Sequence, residues 1–306
     1  MEENNLVRLE NIRYAKHDFR ELKQVFEMLK GIDYAVIKGE PLSMLCYGGY
    51  GLRHSGDVDI LIDREHVTLL ENILSQNGFR TKFIGEDIEV RKNRILCLSS
   101  THQIPPYIKE KDNIITEVDI NFDVLWGEYS GKRIPIKDVL KNTICMDVFG
   151  VEVKVLNSLY AFIQLLLHHY KDMNSIYLIA TSNCIKYSMF EDIYYLLKNN
   201  GNEINIKDLM EIAEEYNILP YIYYVLYYTY QVFQEPFLKV YIENLYTQEG
   251  EELLEYYGLS KKERRRWGVS FEERLNANQL FKFIEKDLNK EDFIKIKRTK
   301  KIFGDI

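Results

Sequence analysis

The chain has 306 residues, of which 46% are hydrophobic and 28% are charged, and its formal net charge is −7. This composition is typical of a globular protein that is long enough to bury one large core or two smaller ones, and nothing in it suggests disorder. An acidic surface repels phosphate backbones, which argues against a general nucleic-acid coat protein.

The cysteines and the apolar segments indicate the compartment. There are four cysteines: Cys46, Cys97, Cys145 and Cys184. They are far apart and form no Cys-x-x-Cys pair, which argues against a zinc site and against a disulfide partner. The start of the chain lacks the features of a secretory signal, and the apolar run 159–167 is too short for a membrane span. We expect a cytoplasmic protein with no membrane role.

The first half of the chain alternates predicted helices and strands. Helical spacing over 19–29 ends at Gly31, and a strand is predicted over 34–37. After a turn at Lys38 and Gly39 come a predicted helix, a glycine cluster, a strand, a second helix that ends at Gly78, two strands around 85–87 and a further strand. The predicted ranges are 41–47 for the helix after the turn, 58–62 for the strand, 65–77 for the second helix, 79–98 for the two strands together and 114–125 for the last strand.

The pattern changes near Asn157, after the β-rich segment VFGVEVKVL. Long helical periodicities with few glycines and prolines follow, so we predict a domain boundary there and an α+β fold class, with strands and helices over 1–156 and a mainly α-helical domain over 157–306. The tyrosine-rich segment 221–233 is predicted to fill a helical core, in preference to stacking on a cofactor. No repeat of 20 to 50 residues suggests a solenoid.

The segment GDVDILID contains the candidate metal site. Asp57 and Asp59 are two residues apart on a strand, so both side chains project from one face while Val58, Ile60 and Ile62 project from the other. Magnesium prefers such oxygen ligands and leaves positions for phosphate oxygens. The alternative is that the two acids form only the solvated face of a half-buried strand.

Residues before the acidic pair strengthen the metal interpretation. Gly39 opens a turn in which backbone N–H groups can approach phosphate oxygens, and a helix begins directly afterwards. Lys38 and Arg53 supply positive charge for a triphosphate, although Arg53 also fits a structural ion pair with Asp57 or Asp63.

Two metal ions require a third carboxylate, and the strand EVDINFDVLW offers several. Glu117, Asp119, Asn121 and Asp123 share one face of this strand by alternation. We predict Asp119 as the third acid, with Asp123 as its competitor.

Together these residues resemble the DNA polymerase β-like nucleotidyltransferase superfamily, whose pattern is a glycine turn, a strand with Asp-x-Asp and a third acid on a further strand. More narrowly, VIKGEPLSMLCY followed by LRHSGDVDILID resembles a bacterial group of nucleotidyltransferases in which a Lys-Gly turn replaces the usual Gly-Ser. In this chain Glu40 replaces the usual serine, and Asn121 stands where the group has the histidine of an Asp-x-His pattern.

The resemblance implies a mixed sheet flanked by helices in the first domain, together with roles for further residues and for partners. Asp57, Asp59 and Asp119 would hold Mg²⁺, with Mn²⁺ as an alternative, and Lys38, Gly39 and Arg53 would surround the phosphates of a nucleoside triphosphate such as ATP. The segments LLLHHYKDM and FEDIYYLLK resemble the helical half of the group. His169, Lys171 and Asp192 would then line the cleft, unless they serve helix packing.

The predicted activity is transfer of a nucleoside monophosphate from the triphosphate to an acceptor hydroxyl, with release of pyrophosphate. The acceptor stays open among a small molecule, a peptide, a protein and a tRNA end, bound by the helical domain. One alternative is a non-catalytic protein of the same fold that serves binding or immunity, and another is a phosphotransferase. The basic runs KKERRR and KIKRTKK are interpreted as solvated helix faces, with a nucleic-acid contact near Trp267 as the rival.

Overall fold

The structure, a computed structural model, describes residues 2–82, 87–182 and 184–303. These residues form two units. The first contains the described residues of Met1–Gly127, Ile134–Ala161 and Ile302–Gly304, and the second those of Glu128–Arg133 and Phe162–Lys301. The α+β class is confirmed, because the first unit holds a seven-stranded sheet with flanking helices and the second is mainly helical.

The sheet of the first unit has seven strands: β1 (Tyr34–Val36), β2 (Val58–Ile62), β3 (Arg80–Thr81), β4 (Tyr107–Lys111), β5 (Ile114–Asn121), β6 (Thr143–Val148) and β7 (Val151–Leu156). Their order in the sheet is β3-β4-β5-β2-β1-β7-β6. β2 runs parallel to β5 and β1 runs parallel to β7, while the other neighbouring pairs are antiparallel. The sheet is therefore mixed, and β2 lies directly beside β5.

Helices cover the apolar face of this sheet. Phe19 and Leu22 of the first helix and Leu70 of the third are buried with Ile60 and Ile120 of the central strands in one core. Burial of these apolar side chains is the main stabilising contribution to the first unit. The helices are α1 (Glu2–Met28), α2 (Glu40–Tyr47), α3 (Val67–Gln76), α4 (Asp87–Ser100), α5 (Ile136–Leu140) and α6 (Ser158–Asn174), which continues into the second unit.

Three predicted elements of the first half need correction. The helix predicted over 19–29 extends back to Glu2, and the strand predicted over 114–125 ends at Asn121. The two strands predicted over 79–98 are wrong: after the two residues of β3, the chain forms α4 from Asp87, and the predicted turn residues Gly85 and Glu86 lie outside the described residues. The predicted helix ends are confirmed, since Gly31 and Gly78 have φ of 91° and 84°.

The second unit packs around a tyrosine-rich helix. The elements of this unit are α7 (Ile176–Thr181), α8 (Tyr187–Asn200), α9 (Ile206–Glu215), α10 (Leu219–Phe233), α11 (Pro236–Asn244), α12 (Gln248–Leu253), β8 (Tyr256–Tyr257), β9 (Arg265–Arg266), α13 (Phe271–Leu275), α14 (Phe281–Ile284) and α15 (Lys290–Phe303). The tyrosine-rich helix is α10, which contacts α8, α9, α11 and α12. Its Tyr224 is fully buried, so the predicted core role of 221–233 is confirmed.

The cysteine and membrane expectations meet two findings. No disulfide joins any of the four cysteines. In the described parts of the chain, no helix is both long enough and apolar enough to cross a membrane.

Candidate active site

The acidic side chains lie where β2 and β5 run side by side. Asp59 of β2 is in register with Asp119 of β5, and Leu61 is in register with Asn121. Residues in register on parallel strands project from the same face, and alternation brings Asp57 to that face as well. The pairing of two strands thus brings together the three acids that the sequence predicted.

Lys38 follows the end of β1 and contacts this acidic face. The Ile37 N–H donates to the Asp59 carbonyl at 3.1 Å, which continues the pairing of β1 with β2 up to Lys38. The Lys38 ammonium then lies 2.9 Å from Oδ1 of Asp59, whose side chain is fully buried. The Asn121 side-chain amide donates to the same oxygen at 3.1 Å. Two donors, one just after β1 and one at the end of β5, hold Asp59 in position.

The three carboxyl groups perturb one another electrostatically. Burial and the nearby Asp59 raise the pKa of Asp57 above its ordinary value, and Lys38 partly opposes this rise. Burial, Asp59 and Asp57 together raise the pKa of Asp119 to about 8. Desolvation and like charges both disfavour the ionised form, and a bound cation would reverse both effects. The cluster therefore has the electrostatic character of a cation site.

Asp119 and its competitor Asp123 have different surroundings. Gln103 pairs with Asn121 through an isolated bridge and donates its side-chain amide to Oδ2 of Asp119 at 3.3 Å. Asp123 lies beyond the end of β5, where its Oδ1 accepts the Leu125 N–H at 2.9 Å. Of the two acids, Asp119 is the one that lies in register with Asp59.

The turn at Gly39 adopts a backbone conformation that favours glycine. Gly39 has φ of 64° and ψ of −135°, and α2 begins immediately afterwards with Pro41 in its first turn. A Cβ at Gly39 would lie 3.4 Å from Oγ of Ser55. That hydroxyl donates to the Asp57 carbonyl at 2.9 Å, so the loop before β2 lies against the turn. The turn and the acidic pair are held next to each other.

Glu40 has a structural role that the sequence did not reveal. Its buried Oε2 accepts the N–H of Gly51 at 2.8 Å, which ties the glycine cluster to the start of α2. Burial raises the pKa of Glu40, and the Gly51 N–H and Arg53 oppose that rise. Arg53 also opposes part of the rise in the pKa of Asp57, so its positive charge acts on both acids.

The predicted residues of the helical half lie in the second unit. On α6, His168 Nε2 lies 3.1 Å from Oδ2 of Asp172, and Lys171 lies 3.3 Å from both His168 Nδ1 and Asp172 Oδ1. Burial raises the pKa of Asp172, but His168 and Lys171 outweigh this and hold it well below its ordinary value. His169 and Asp192 are buried. The sequence analysis named neither His168 nor Asp172 as a site residue.

His168, His169 and Asp172 also satisfy a distance criterion for metal ligands. One ligand atom of each lies within 4.8 Å of the others. Lys171, however, places its ammonium against two of these three side chains, and a cation already in contact disfavours a second one. The group is better described as a Lys-His-Asp network than as a metal site.

The first basic run, KKERRR, differs from its prediction. It forms the turn before β9 and the strand itself, so it is not a helix face. Its three arginines form ion pairs with acids of the second unit: Arg264 with Glu249, Arg265 with Asp292 and Arg266 with Glu255. The second run, KIKRTKK, lies on α15 as predicted.

Two residues near the acidic face escaped the sequence analysis. Ser55 and Gln103 carried no usable signal, because their positions depend on loop geometry. Asn121 was placed on the same strand face as Asp119, but its hydrogen bond to Asp59 was not foreseen.

A family profile described as "Uncharacterised nucleotidyltransferase" matches residues 7–234. A search of curated proteins finds no match to the chain. The matched region includes the Gly39 turn, the Asp57–Asp59 pair and Asp119, and it continues into α10 of the helical unit. The chain therefore belongs to this family of nucleotidyltransferases.

Proposed function

We propose that the chain is a magnesium-dependent enzyme that transfers a nucleoside monophosphate from a nucleoside triphosphate to an acceptor hydroxyl. The observation that supports this best is the register of Asp59 with Asp119 on neighbouring parallel strands, with Asp57 on the same face. Membership of a nucleotidyltransferase family agrees with it. The assignment to the bacterial group with a Lys-Gly turn is part of the same proposal.

The donor set fits a hard divalent cation. The candidate ligands Asp57, Asp59 and Asp119 all offer carboxylate oxygens, which Mg²⁺ prefers and Mn²⁺ also accepts. Burial and the neighbouring carboxylates raise the pKa values of Asp57 and Asp119, and a bound cation would relieve this concentration of negative charge. When bound there, the metal would supply charge stabilisation for the phosphates and a lower pKa for the acceptor hydroxyl.

Lys38, Arg53 and the Gly39 turn would bind the triphosphate. Lys38 already neutralises Asp59, and it is close enough to the acidic face to share its charge between the acids and a phosphate group. Arg53 acts on Asp57 from the loop before β2. The turn at Gly39 would present backbone N–H groups, which takes the place of the hydroxyl that a serine at position 40 would supply.

In the reaction the acceptor oxygen forms a bond to the α-phosphorus, and the bond from that phosphorus to the bridging oxygen breaks. Pyrophosphate leaves with the electron pair of the broken bond, and the acceptor loses its proton. In its ionised form, Asp119 would accept the proton that the acceptor hydroxyl loses.

The acceptor stays open among small molecules, peptides, proteins and tRNA ends. The Lys-His-Asp network of α6 and the cluster at Asp59 belong to different units, and we propose that the helical unit contributes the acceptor site. The whole chain carries a net negative charge, and Arg264, Arg265 and Arg266 are already ion-paired. Both observations favour a small or weakly charged acceptor over a long nucleic acid.

The position of the transferred label separates the candidate reactions. The protein is incubated with Mg²⁺, a cell extract and a triphosphate that carries its label at either the α- or the γ-phosphate. Nucleotidyl transfer labels an acceptor from the α position and releases pyrophosphate. Acceptor labelling from the γ position alone would establish a phosphotransferase instead, and no triphosphate binding at all would favour a non-catalytic binding or immunity protein.

A further inference from the structure

The loop between α2 and β2, residues 48–57, carries two residues of the candidate site. Arg53 lies in the middle of this α2–β2 loop, and Asp57 is its last residue before β2. The loop contains neither helix nor strand, and it is rich in glycine: Gly48, Gly49, Gly51 and Gly56. Glycine leaves a backbone more conformations than any other residue does, so contacts from outside the loop are needed to keep Arg53 in one position.

Asn11 of α1 contacts the α2–β2 loop on both sides of Arg53. Its Nδ2 donates to the Gly51 carbonyl at 3.2 Å, and its Oδ1 lies 3.2 Å from Nδ1 of His54. An amide oxygen can only accept, so the imidazole is the donor in the second contact. One half-buried side chain therefore holds both ends of the segment 51–54, which has Arg53 inside it.

The backbone of α1 also lies directly against this loop. Arg8 Nε donates to the Tyr50 carbonyl at 3.1 Å. Gly51 has φ of 71°, and a Cβ at this position would lie 2.5 Å from Cγ1 of Ile12 and 2.8 Å from the Arg8 carbonyl oxygen. Only glycine permits both this backbone conformation and so close an approach. The contact between helix and loop is thus specified by the sequence on both sides.

The bonds from α2 hold a different part of the loop. Besides the bond from the Gly51 N–H to Glu40, the Ser43 hydroxyl donates to the Gly49 carbonyl at 2.8 Å. These two bonds act on the first residues of the loop, whereas Asn11 reaches past Arg53 to His54. Asn11 is therefore placed to control the segment that carries the guanidinium.

Core packing does not account for the first turns of α1. Leu6 and Leu9 are 67% and 62% exposed, whereas Phe19 and Leu22 in the later turns are buried in the core. The contacts of Arg8 and Asn11 give the early turns a role of another kind, which is to support the α2–β2 loop.

We propose that Asn11 is a positioning residue of the triphosphate site, which holds the segment 51–54 so that Arg53 is ready to bind the phosphates. The inference rests on the proposed function. Guanidinium–phosphate hydrogen bonds are directional, and a ligand that must first order a loop binds more weakly than one that meets a loop already fixed.

A double-mutant cycle on triphosphate binding tests the inference. Isothermal titration calorimetry of the full chain with Mg²⁺ and each of ATP, GTP, CTP and UTP first identifies the triphosphate that the native chain binds most tightly. Arg53→Gln should weaken its binding about tenfold, and Asn11→Ala about fivefold. Because Asn11 acts through Arg53, the double variant should bind no more than about twofold weaker than Arg53→Gln alone. Additive losses would overturn the inference.

A matched control comes from the same helix. Arg20 of α1 forms ion pairs with Glu21 and Asp112 instead of contacting the α2–β2 loop. Arg20→Ala should therefore bind the triphosphate as tightly as the native chain does. A loss equal to that of Asn11→Ala would show that any change in α1 weakens binding, which would overturn the specific role of Asn11.

Hydrogen exchange measured by mass spectrometry separates positioning from general damage to the fold. Asn11→Ala should speed exchange of the backbone amides of 48–56 and leave those of β2 unchanged. Unchanged exchange over 48–56, faster exchange in β2 as well, or a triphosphate affinity equal to that of the native chain would overturn the inference and leave the proposed function standing. A native chain that binds none of the four triphosphates would overturn both.

Discussion

Replacing Gly39 by alanine should destabilise the first unit and weaken triphosphate binding. The φ of 64° and ψ of −135° at this position are accessible to glycine but strained for a residue with a Cβ. Such strain costs about 1–3 kcal/mol. The nearest atom to the new Cβ would be Oγ of Ser55 at 3.4 Å, which is ordinary contact and adds no clash. We therefore expect a loss of about 2 kcal/mol, which lowers the folding equilibrium constant roughly 30-fold.

Urea unfolding followed by tryptophan fluorescence measures this loss. The chain has two tryptophans, and Trp126 lies in the first unit while Trp267 lies in the second. In a Trp267→Phe background, Trp126 reports on the first unit alone. Gly56→Ala is the matched control, because nothing lies within 4 Å of its Cβ and its φ is not positive, so its stability should be unchanged or up to ~1 kcal/mol higher. Equal midpoints for Gly39→Ala and Gly56→Ala would refute the reasoning.

Three other perturbations have expected outcomes. Burial alone would raise the pKa of Glu21, but hydrogen bonds from Lys111 and Lys109 outweigh this effect and lower the pKa to about 2. The ionised Glu21 therefore contributes about 3 kcal/mol to the free energy of unfolding above pH 4.5, and this contribution is lost as the pH falls towards 2. Glu21→Gln should make the free energy of unfolding depend less steeply on pH in this range, and an unchanged pH dependence would contradict the argument. Asp119 has a pKa of about 8 and must lose its proton before it can bind Mg²⁺. The Mg²⁺ affinity measured by calorimetry should therefore rise with pH up to about 8 and then level off. An affinity that does not depend on pH would exclude Asp119 as a ligand. Lys38→Met leaves Asp59 buried without its ammonium and should cost on the order of 3 kcal/mol in urea unfolding, whereas a loss below about 1 kcal/mol would show that the pair contributes little.

The central part of the fold could be predicted because its signals are local. Asp57 and Asp59 alternate with Val58, Ile60 and Ile62, and a period of two determines which side chains share a face before any partner strand is known. The helix ends at Gly31 and Gly78 were equally local, since left-handed backbone conformations favour glycine.

The helix α4 could not be predicted because tertiary contacts determine it. Its β-branched residues favour a strand, yet in the structure Cys97 is buried and Arg94 forms an ion pair with Glu71 of α3. The first turns of α1 were missed for the opposite reason: Leu6 and Leu9 are exposed, so no buried apolar stripe marks the helix.

Some residues of the candidate site could be predicted from local sequence patterns, and others could not. The acids were found from spacing on two strands, whereas Gln103 and Ser55 reach the site through loops. Glu40 looked like a defect in a phosphate-binding turn, and the structure shows that it instead holds the N–H of Gly51. Residues whose role depends on a distant backbone group leave no periodic trace in a sequence.

Transfer of an α-phosphate label tests the central claim most directly. The native chain, incubated with Mg²⁺, each α-labelled triphosphate and a cell extract, should label one class of acceptor and release unlabelled pyrophosphate. Asp59→Asn should abolish this labelling, while Asp123→Asn, which changes an acid beyond the end of β5, should retain it. Labelling that survives Asp59→Asn would contradict the assignment of the acidic cluster as the catalytic site.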